Sequence, residues 1–560
     1  MTEERQGDLE EKLLHIRRDA EERDASRRAS STGAPYIDLR KIPVSIDALK
    51  LVPEKDARAA RAATVQMKPH EVALAAYDAA SPKVKKIVET LVGDKLTVKL
   101  FTSSASGLEE AWKMYRFVSN KAADITGTLE ISAVESLIPK LSSLRAVREE
   151  VEKRDLKKVT TTELFHVVLA GALATKASDI HCETEEKAAK VRYRLDGLLH
   201  DVVTDLPQKN YDALISRIKL LAGLKINIHG EPQDGRFTIE LSTKEVEIRV
   251  SIIPSEFGET VVMRVLDPEA IMVGFDSLGL RKDDQNILEH VFNRPNGLLL
   301  NTGPTGSGKT TTLYACLRRM ASSEVKIITI EDPIEYRLTG IEQTQTNPEV
   351  GYTFSSGLRA ILRQDPNVIL VGEIRDLETA DIALQAALTG HLVLSTLHTN
   401  DAAGAVPRLV DLGVKAETIG PALTLVVAQR LVRKLCASCR ARVEIPDALS
   451  KNIEAFLKRL PSRVDKSAYK NITVFKSVGC ASCNDTGYNG RTGVYEFLEG
   501  GSEIERAIIK SASTETLREI ARAQHMVTMQ EDGLLKVIAG TTSFDEVERV
   551  TGEISWLNEK

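Results

Sequence analysis

The run Gly303-Pro304-Thr305-Gly306-Ser307-Gly308-Lys309-Thr310 restricts what this chain can fold into more than any other feature. It has the spacing G-x-x-x-x-G-K-[ST], with an apolar strand at Gly297–Leu300 before it and a helix at Thr311–Met320 after it. Glycines at 303, 306 and 308 let the backbone curl until its amide N–H groups point inward. The helix amino terminus adds the positive end of its dipole, so the loop suits phosphates. Lys309 is placed to reach the β- and γ-phosphates of ATP, and the Thr310 hydroxyl to ligate Mg²⁺, with Thr311 next in line.

From about Gly274 to Arg430 short apolar strands alternate with helices. The expected strands are Gly297–Leu300, Val325–Ile330, Val368–Val371 and His391–Thr396. That alternation predicts a parallel α/β sheet whose ligand site lies at the carboxyl ends of the strands. Glu331, followed by Asp332, Pro333 and then Glu335, closes the second strand, and Glu373 closes the third. Hydrolysis needs one carboxylate to orient water and another to handle Mg²⁺, and these two glutamates are what the topology delivers. His391 and His398 flank the fourth strand.

The rest of the 560 residues divides by pattern. Residues 1–34 read as a flexible or helical charged tail, and 35–150 as a first domain with a polar, helical linker at Arg145–Lys158. Helices are expected there at Val84–Leu91 and Ser106–Val118, with a strand at Leu96–Phe101. Residues 151–268 read as a mixed α+β domain whose first helix starts near Thr161-Thr162-Glu163. Asp196-Gly197 predicts a hairpin turn between Val191–Leu195 and Leu198–Val203, and Lys244–Arg249 and Thr260–Leu266 are further strands. Residues 269–430 form the nucleotide domain, 431–500 a cysteine-bearing segment and 501–560 a helical tail.

Of six cysteines, Cys182 and Cys316 stand alone and read as small buried hydrophobes. Cys436/Cys439 and Cys480/Cys483 form two C-x-x-C pairs about forty residues apart. Four thiolates make a closed tetrahedral zinc site, although a redox role is the rival reading. The intervening segment Leu449–Leu460 must then loop out and return.

No run reaches the roughly 18 consecutive apolar residues of a membrane span. The most apolar stretch, Ile419–Val432, is broken by Gly420, Pro421, Gln429 and Arg430. The start Met1-Thr2-Glu3-Glu4-Arg5 has no signal-peptide character, so a cytoplasmic location is expected. A net charge of −5 argues against non-specific nucleic-acid binding, and no direct nucleic-acid partner is expected.

The runs Gly303–Thr312, Ile328–Tyr336, Leu362–Ala380 and Thr389–Ala403 resemble the Walker A, aspartate, Walker B and histidine boxes of type II secretion and type IV pilus assembly ATPases. The resemblance implies a hexameric RecA-like motor preceded by mixed α+β amino-terminal domains, the second of them PAS-like, with a metal-binding cysteine insertion and a helical C-terminus. It implies catalytic roles for Lys309, Glu331 and Glu373, and γ-phosphate sensing by His391 and His398. Ala177–His181, Asp196-Gly197 and Pro232–Arg236 resemble the family's second amino-terminal domain, so Arg217, Arg236, Arg249 and Arg264 are expected to contact the nucleotide. The stretches Leu435–Arg440 and Cys480–Tyr495 resemble its zinc insertion, which retraction-type motors usually lack. The implied partners are an inner-membrane platform protein, docked by the first domain, and associated assembly proteins. A DNA-uptake motor of the same superfamily and a non-hydrolysing scaffold stay as alternatives.

Overall fold

In the computed structural model, residues 3–68, 71–93, 96–117, 129–156, 158–470, 472–510 and 513–555 are described. The chain divides into two units, Met1–Val265 and Leu266–Lys560.

The first unit holds two sheets. A three-stranded sheet, Ala62–Lys68, Glu71–Ala76 and Thr97–Thr102, pairs its first two strands antiparallel and its last two parallel. Helices Pro82–Gly93 and Ala105–Lys113 accompany it, and Val118, the expected end of the second helix, lies outside the described residues. The amino-terminal segment, expected as a flexible or solvated helical tail, is the helix Glu3–Thr32, and its second half is docked. Ala25 and Ala29 are buried, and the Glu22 carboxylate accepts from Tyr36 Oη at 2.7 Å and Ser104 Oγ at 2.7 Å. Arg28 donates to the carbonyls of Tyr77 and Ser103 and stacks on the Tyr77 ring. A charged sequence thus becomes a tied helix because its ionic groups find fixed partners.

The second sheet has six strands in the spatial order Leu198–Leu206, Ala189–Leu195, Asp179–Thr184, Gly258–Leu266, Glu245–Ser255, Gln233–Glu240. Asp196 and Gly197 both take positive φ, 47° and 91°, as the expected hairpin turn requires. Helix Thr161–Ala174 starts where expected, with Thr160 as N-cap and Glu163 closing a capping box. The expected linker carries a helix, Leu144–Glu152, whose Leu144, Val147 and Val151 enter the same core as the helix Thr161–Ala174.

The second unit is built on a seven-stranded sheet: Glu342–Gln345, Ile327–Glu331, Val368–Val371, Leu392–Leu397, Gly297–Thr302, Leu423–Leu435, Tyr488–Glu499. The first six strands pair parallel, and the last is antiparallel. The central strands are buried along their whole length because helices cover both faces, which is why they read as continuous apolar runs. Helices Lys309–Met320 and Lys282–Phe292 pack on one face, and Phe354–Ile361, Leu377–Leu388 and Ser502–Ile509 on the other. The sheet does not end at residue 430. The strand Leu423–Leu435 carries the chain out to the cysteines, and Tyr488–Glu499 brings it back. Among the described residues no helix is long and apolar enough to cross a membrane.

Candidate functional site

Strand Gly297–Thr302 delivers the loop, and helix Lys309–Met320 receives it. Gly303 and Gly308 have φ of 153° and 90°, backbone that a side chain would strain. A Cβ on Gly303 would also lie 2.5 Å from the Gln429 carbonyl, and one on Gly308 2.9 Å from Gln429 Nε2. Gln429, a residue that sequence reasoning passed over, therefore backs the loop. It is 2% exposed, and its Oε1 accepts from Asn301 Nδ2 at 3.1 Å. Its only signal in the sequence was a polar residue interrupting an apolar stretch.

Lys309 Nζ donates to the carbonyls of Gly303 at 2.8 Å and Pro304 at 3.2 Å, so the ammonium sits within the curl of the loop. Burial lowers its pKa, and the Glu373 carboxylate pulls it back up. Thr310 is exposed at the second position of the helix. Pro304, Thr305 and Gly306 are exposed, Thr311 is half-buried, and Ser307 Oγ is buried without a protein partner. An orphaned hydroxyl inside a glycine-rich loop is what a phosphate-binding loop presents, so the residues fit the group.

Glu373 follows Gly372, in the turn after strand Val368–Val371. Gly372 N donates to the Ile330 carbonyl at 2.8 Å, and Ile374 N to Thr396 at 3.1 Å, so both neighbouring strands pin the turn. The Glu373 carboxylate pairs with Arg375 and stands 3.7 Å from His398 Nε2. Burial lowers the His398 pKa, and the nearby Lys309 lowers it further. Lys309, Glu373 and His398 thus share one place at the carboxyl ends of the strands.

Glu331 occupies the same edge but is engaged differently. It is 3% exposed, and its carboxylate accepts from Tyr314 Oη, from Thr329 Oγ1 at 2.5 Å and from Gln343 Nε2 at 3.1 Å. Burial pushes its carboxyl above the usual range, while these three donors oppose the shift.

His391 is not brought to the loop. It precedes strand Leu392–Leu397, whose Leu392 pairs with Gly297 at the start of the loop's own strand. Parallel pairing leaves it at the opposite edge of the sheet, its ring nitrogen Nδ1 lying 3.2 Å from the Ala386 carbonyl. The four arginines divide likewise. Arg236 and Arg249 face each other on adjacent strands, and Arg264 pairs with Asp179 at 3.3 Å on the solvent side of the sheet. Arg249 is also bonded to Glu247 at 3.1 Å. Arg217 lies on helix Gln208–Leu221, on the covered side, 6% exposed and near enough to His166 to lower its pKa.

The four paired cysteines converge, with all four sulfurs within 4.8 Å of one another. Sγ–Sγ separations are 3.9 Å for Cys436–Cys480, 3.8 Å for Cys439–Cys483 and 3.7 Å for Cys480–Cys483. A tetrahedron with Zn–S of about 2.3 Å has an edge of roughly 3.8 Å, so the sulfurs fit zinc. Amides of Cys480 and Gly487 donate to Cys483 Sγ, each at 3.2 Å. The intervening chain does loop out and return: Ala441–Arg442 pairs antiparallel with Phe475–Lys476 at the neck, and helix Asp447–Arg459 forms the excursion. Cys182 and Cys316 are fully buried, and burial pushes both thiols up to about 12.

A mostly parallel sheet with a phosphate loop, a strand-end carboxylate and a histidine beside it defines a RecA-like P-loop ATPase. The Type II/IV secretion system protein family model matches residues 153–549. The Type II secretion system protein E of Dickeya dadantii is 46% identical over 391 residues, 70% of this chain and 75% of that one. The protein of the same name from Pseudomonas aeruginosa is 43% identical over 433 residues, 77% of this chain and 82% of that one. Of solved structures, the Legionella pneumophila ATPase DotB matches with a TM-score of 0.51 at 23% identity, over 70% of this chain and 96% of that one, a likeness of fold. The chain belongs to the type II/IV secretion system protein family, as a secretion or pilus ATPase.

Proposed function

We propose that this ATPase works as a homo-hexamer at the inner face of the cytoplasmic membrane. ATP hydrolysis there powers assembly of type II secretion pseudopili or type IV pili through an inner-membrane platform protein. The observation that carries this reading is the grouping of Lys309, Glu373 and His398 in a chain 46% identical to a type II secretion system protein E. The cysteine excursion supports the assembly or secretion branch over retraction.

In this reading the inward amides of Gly303–Thr310 and the Lys309 ammonium hold the β- and γ-phosphates. Thr310 supplies a hard oxygen ligand suited to Mg²⁺, which when bound neutralises phosphate charge. Glu373 orients the attacking water, because its carboxylate stands beside His398 and Lys309. Glu331, with its carboxylate already engaged by three donors, braces the strand end instead. The solvent-facing Arg236, Arg249 and Arg264 supply cationic groups for phosphate charge. Arg217 and His391 have no part in this scheme.

Steady-state phosphate release tests the assignment. Glu373→Gln is expected to lower kcat by on the order of a hundredfold or more while nucleotide still binds, as loss of a general base does. Equal turnover by wild type and variant would remove Glu373 from the chemistry. Light scattering with and without nucleotide checks the hexamer.

A further inference from the structure

The loop that starts at His398 is held from three directions. Thr399 N donates to Thr302 Oγ1 at 2.9 Å, and the two threonine hydroxyls lie 2.7 Å apart, which ties the loop to the end of the phosphate-loop strand. From the antiparallel edge strand, the Glu496 carboxylate, 6% exposed, accepts from Ala402 N at 3.0 Å with one oxygen. Its other oxygen accepts from Met529 N at 3.4 Å, at the start of helix Met529–Ile538. On the outer side, Asp401 takes two bonds from Arg518 of helix Thr514–Ala523, at 2.5 Å and 3.1 Å, and its second oxygen accepts from Gly404 N at 2.8 Å.

A buried carboxylate bridging two backbone amides is costly to desolvate and has one geometry in which both bonds form. Here those amides belong to the histidine loop and to a carboxyl-terminal helix. We propose that Glu496 is a positioning residue for ATP hydrolysis, fixing the loop that carries His398, with Arg518 on Asp401 as the outer clamp. The carboxyl-terminal helices thereby bear on the histidine. The proposal rests on His398 acting at the phosphates, and neither Glu496 nor Arg518 touches the nucleotide in it.

Glu496→Gln replaces one acceptor oxygen with an NH₂ group, so one of the two amides loses its bond and faces another donor. A small displacement of a positioned group costs rate more than binding, so kcat is expected to fall roughly tenfold to a hundredfold. The KM for ATP should stay within about twofold, because the phosphate loop is untouched. Arg518→Ala, at a residue whose side chain is 38% exposed, should lower kcat in the same sense by less, and it carries the test if Glu496→Gln fails to melt as a folded protein. The decisive measurement is the double variant. In a His398→Ala background, Glu496→Gln or Arg518→Ala should add no further loss of kcat. Multiplying losses, or an unchanged kcat in the folded single variants, would overturn the proposal. If His398→Ala alone turns over like wild type, the reading of the histidine fails first and the positioning role with it.

Discussion

At the scale of single residues, the site is a matter of which groups are free to meet phosphate. Glu331 and Glu373 look equivalent in the sequence, each closing a strand. Tyr314, Thr329 and Gln343 come from a helix and two other strand positions to occupy Glu331, whereas Glu373 pairs with the exposed Arg375 and stands beside His398. No local pattern announces that difference. His398 carries a pH prediction. Its pKa is lowered from the ordinary 6.5, by burial first and then by Lys309, so the ring takes up a proton at a more acid pH than a free imidazole. The acid limb of kcat/KM, which reports the free enzyme, should therefore fall below pH 6.5 and disappear in His398→Gln. An unchanged limb in the variant would assign it to another group.

At the scale of elements, the second unit is bound together by a buried ionic cluster that has no counterpart in the motifs. Arg281, just before helix Lys282–Phe292, meets Asp532 of helix Met529–Ile538 at 2.6 Å and Asp284 at 2.7 Å. Lys536 reaches Asp532 at 2.5 Å, and Asp532 accepts from Tyr495 N at 2.9 Å in the edge strand. Arg463, beyond the cysteine excursion's helix, pairs with Asp283 at 2.7 Å and Asp284 at 3.0 Å. Asp532 is fully buried, so Asp532→Ala leaves Lys536 without its carboxylate and takes one of three from Arg281, which keeps Asp283 and Asp284. The variant should lose on the order of 3–5 kcal/mol of unfolding free energy in a urea melt. A loss below about 1 kcal/mol, the worth of an exposed pair, would show that the cluster is solvated in solution. The strands missed in the sequence have equally physical reasons. Ala62–Lys68 and Glu71–Ala76 are alanine-rich, with little β-branched signal. Strand Gln233–Glu240 contains Gly235, which reads as a turn but is there because a Cβ would lie 2.6 Å from the Ala222 carbonyl.

At the scale of the whole molecule, a cysteine site joins segments far apart in the chain. Cys436 follows one strand of the motor sheet and Cys483 precedes another, so zinc would close the excursion at its neck. Purified protein is expected to carry a single zinc per chain by elemental analysis, and Cys480→Ser to lose it with a lower melting temperature. A full-length chain free of zinc, with melting unaffected by chelator, would return the cysteines to the redox reading.

The phosphate loop, the strand-end glutamates, the paired cysteines and the α/β alternation are all legible along the chain. Each is a short-range pattern set by backbone geometry or ligand spacing. Which candidates lie near one another follows from long-range packing. His391 and His398 lie on either side of one strand, and seven residues at about 3.3 Å each put them at opposite edges of the sheet. Arg217 parts from Arg236, Arg249 and Arg264 because a helix covers one face of the second sheet and the three arginines stand on the other. Glu496, Gln429 and Asp532 gain their places from strand and helix pairings spanning up to hundreds of residues. Such long-range pairings follow from burying both faces of a sheet, and no single stretch of sequence contains them.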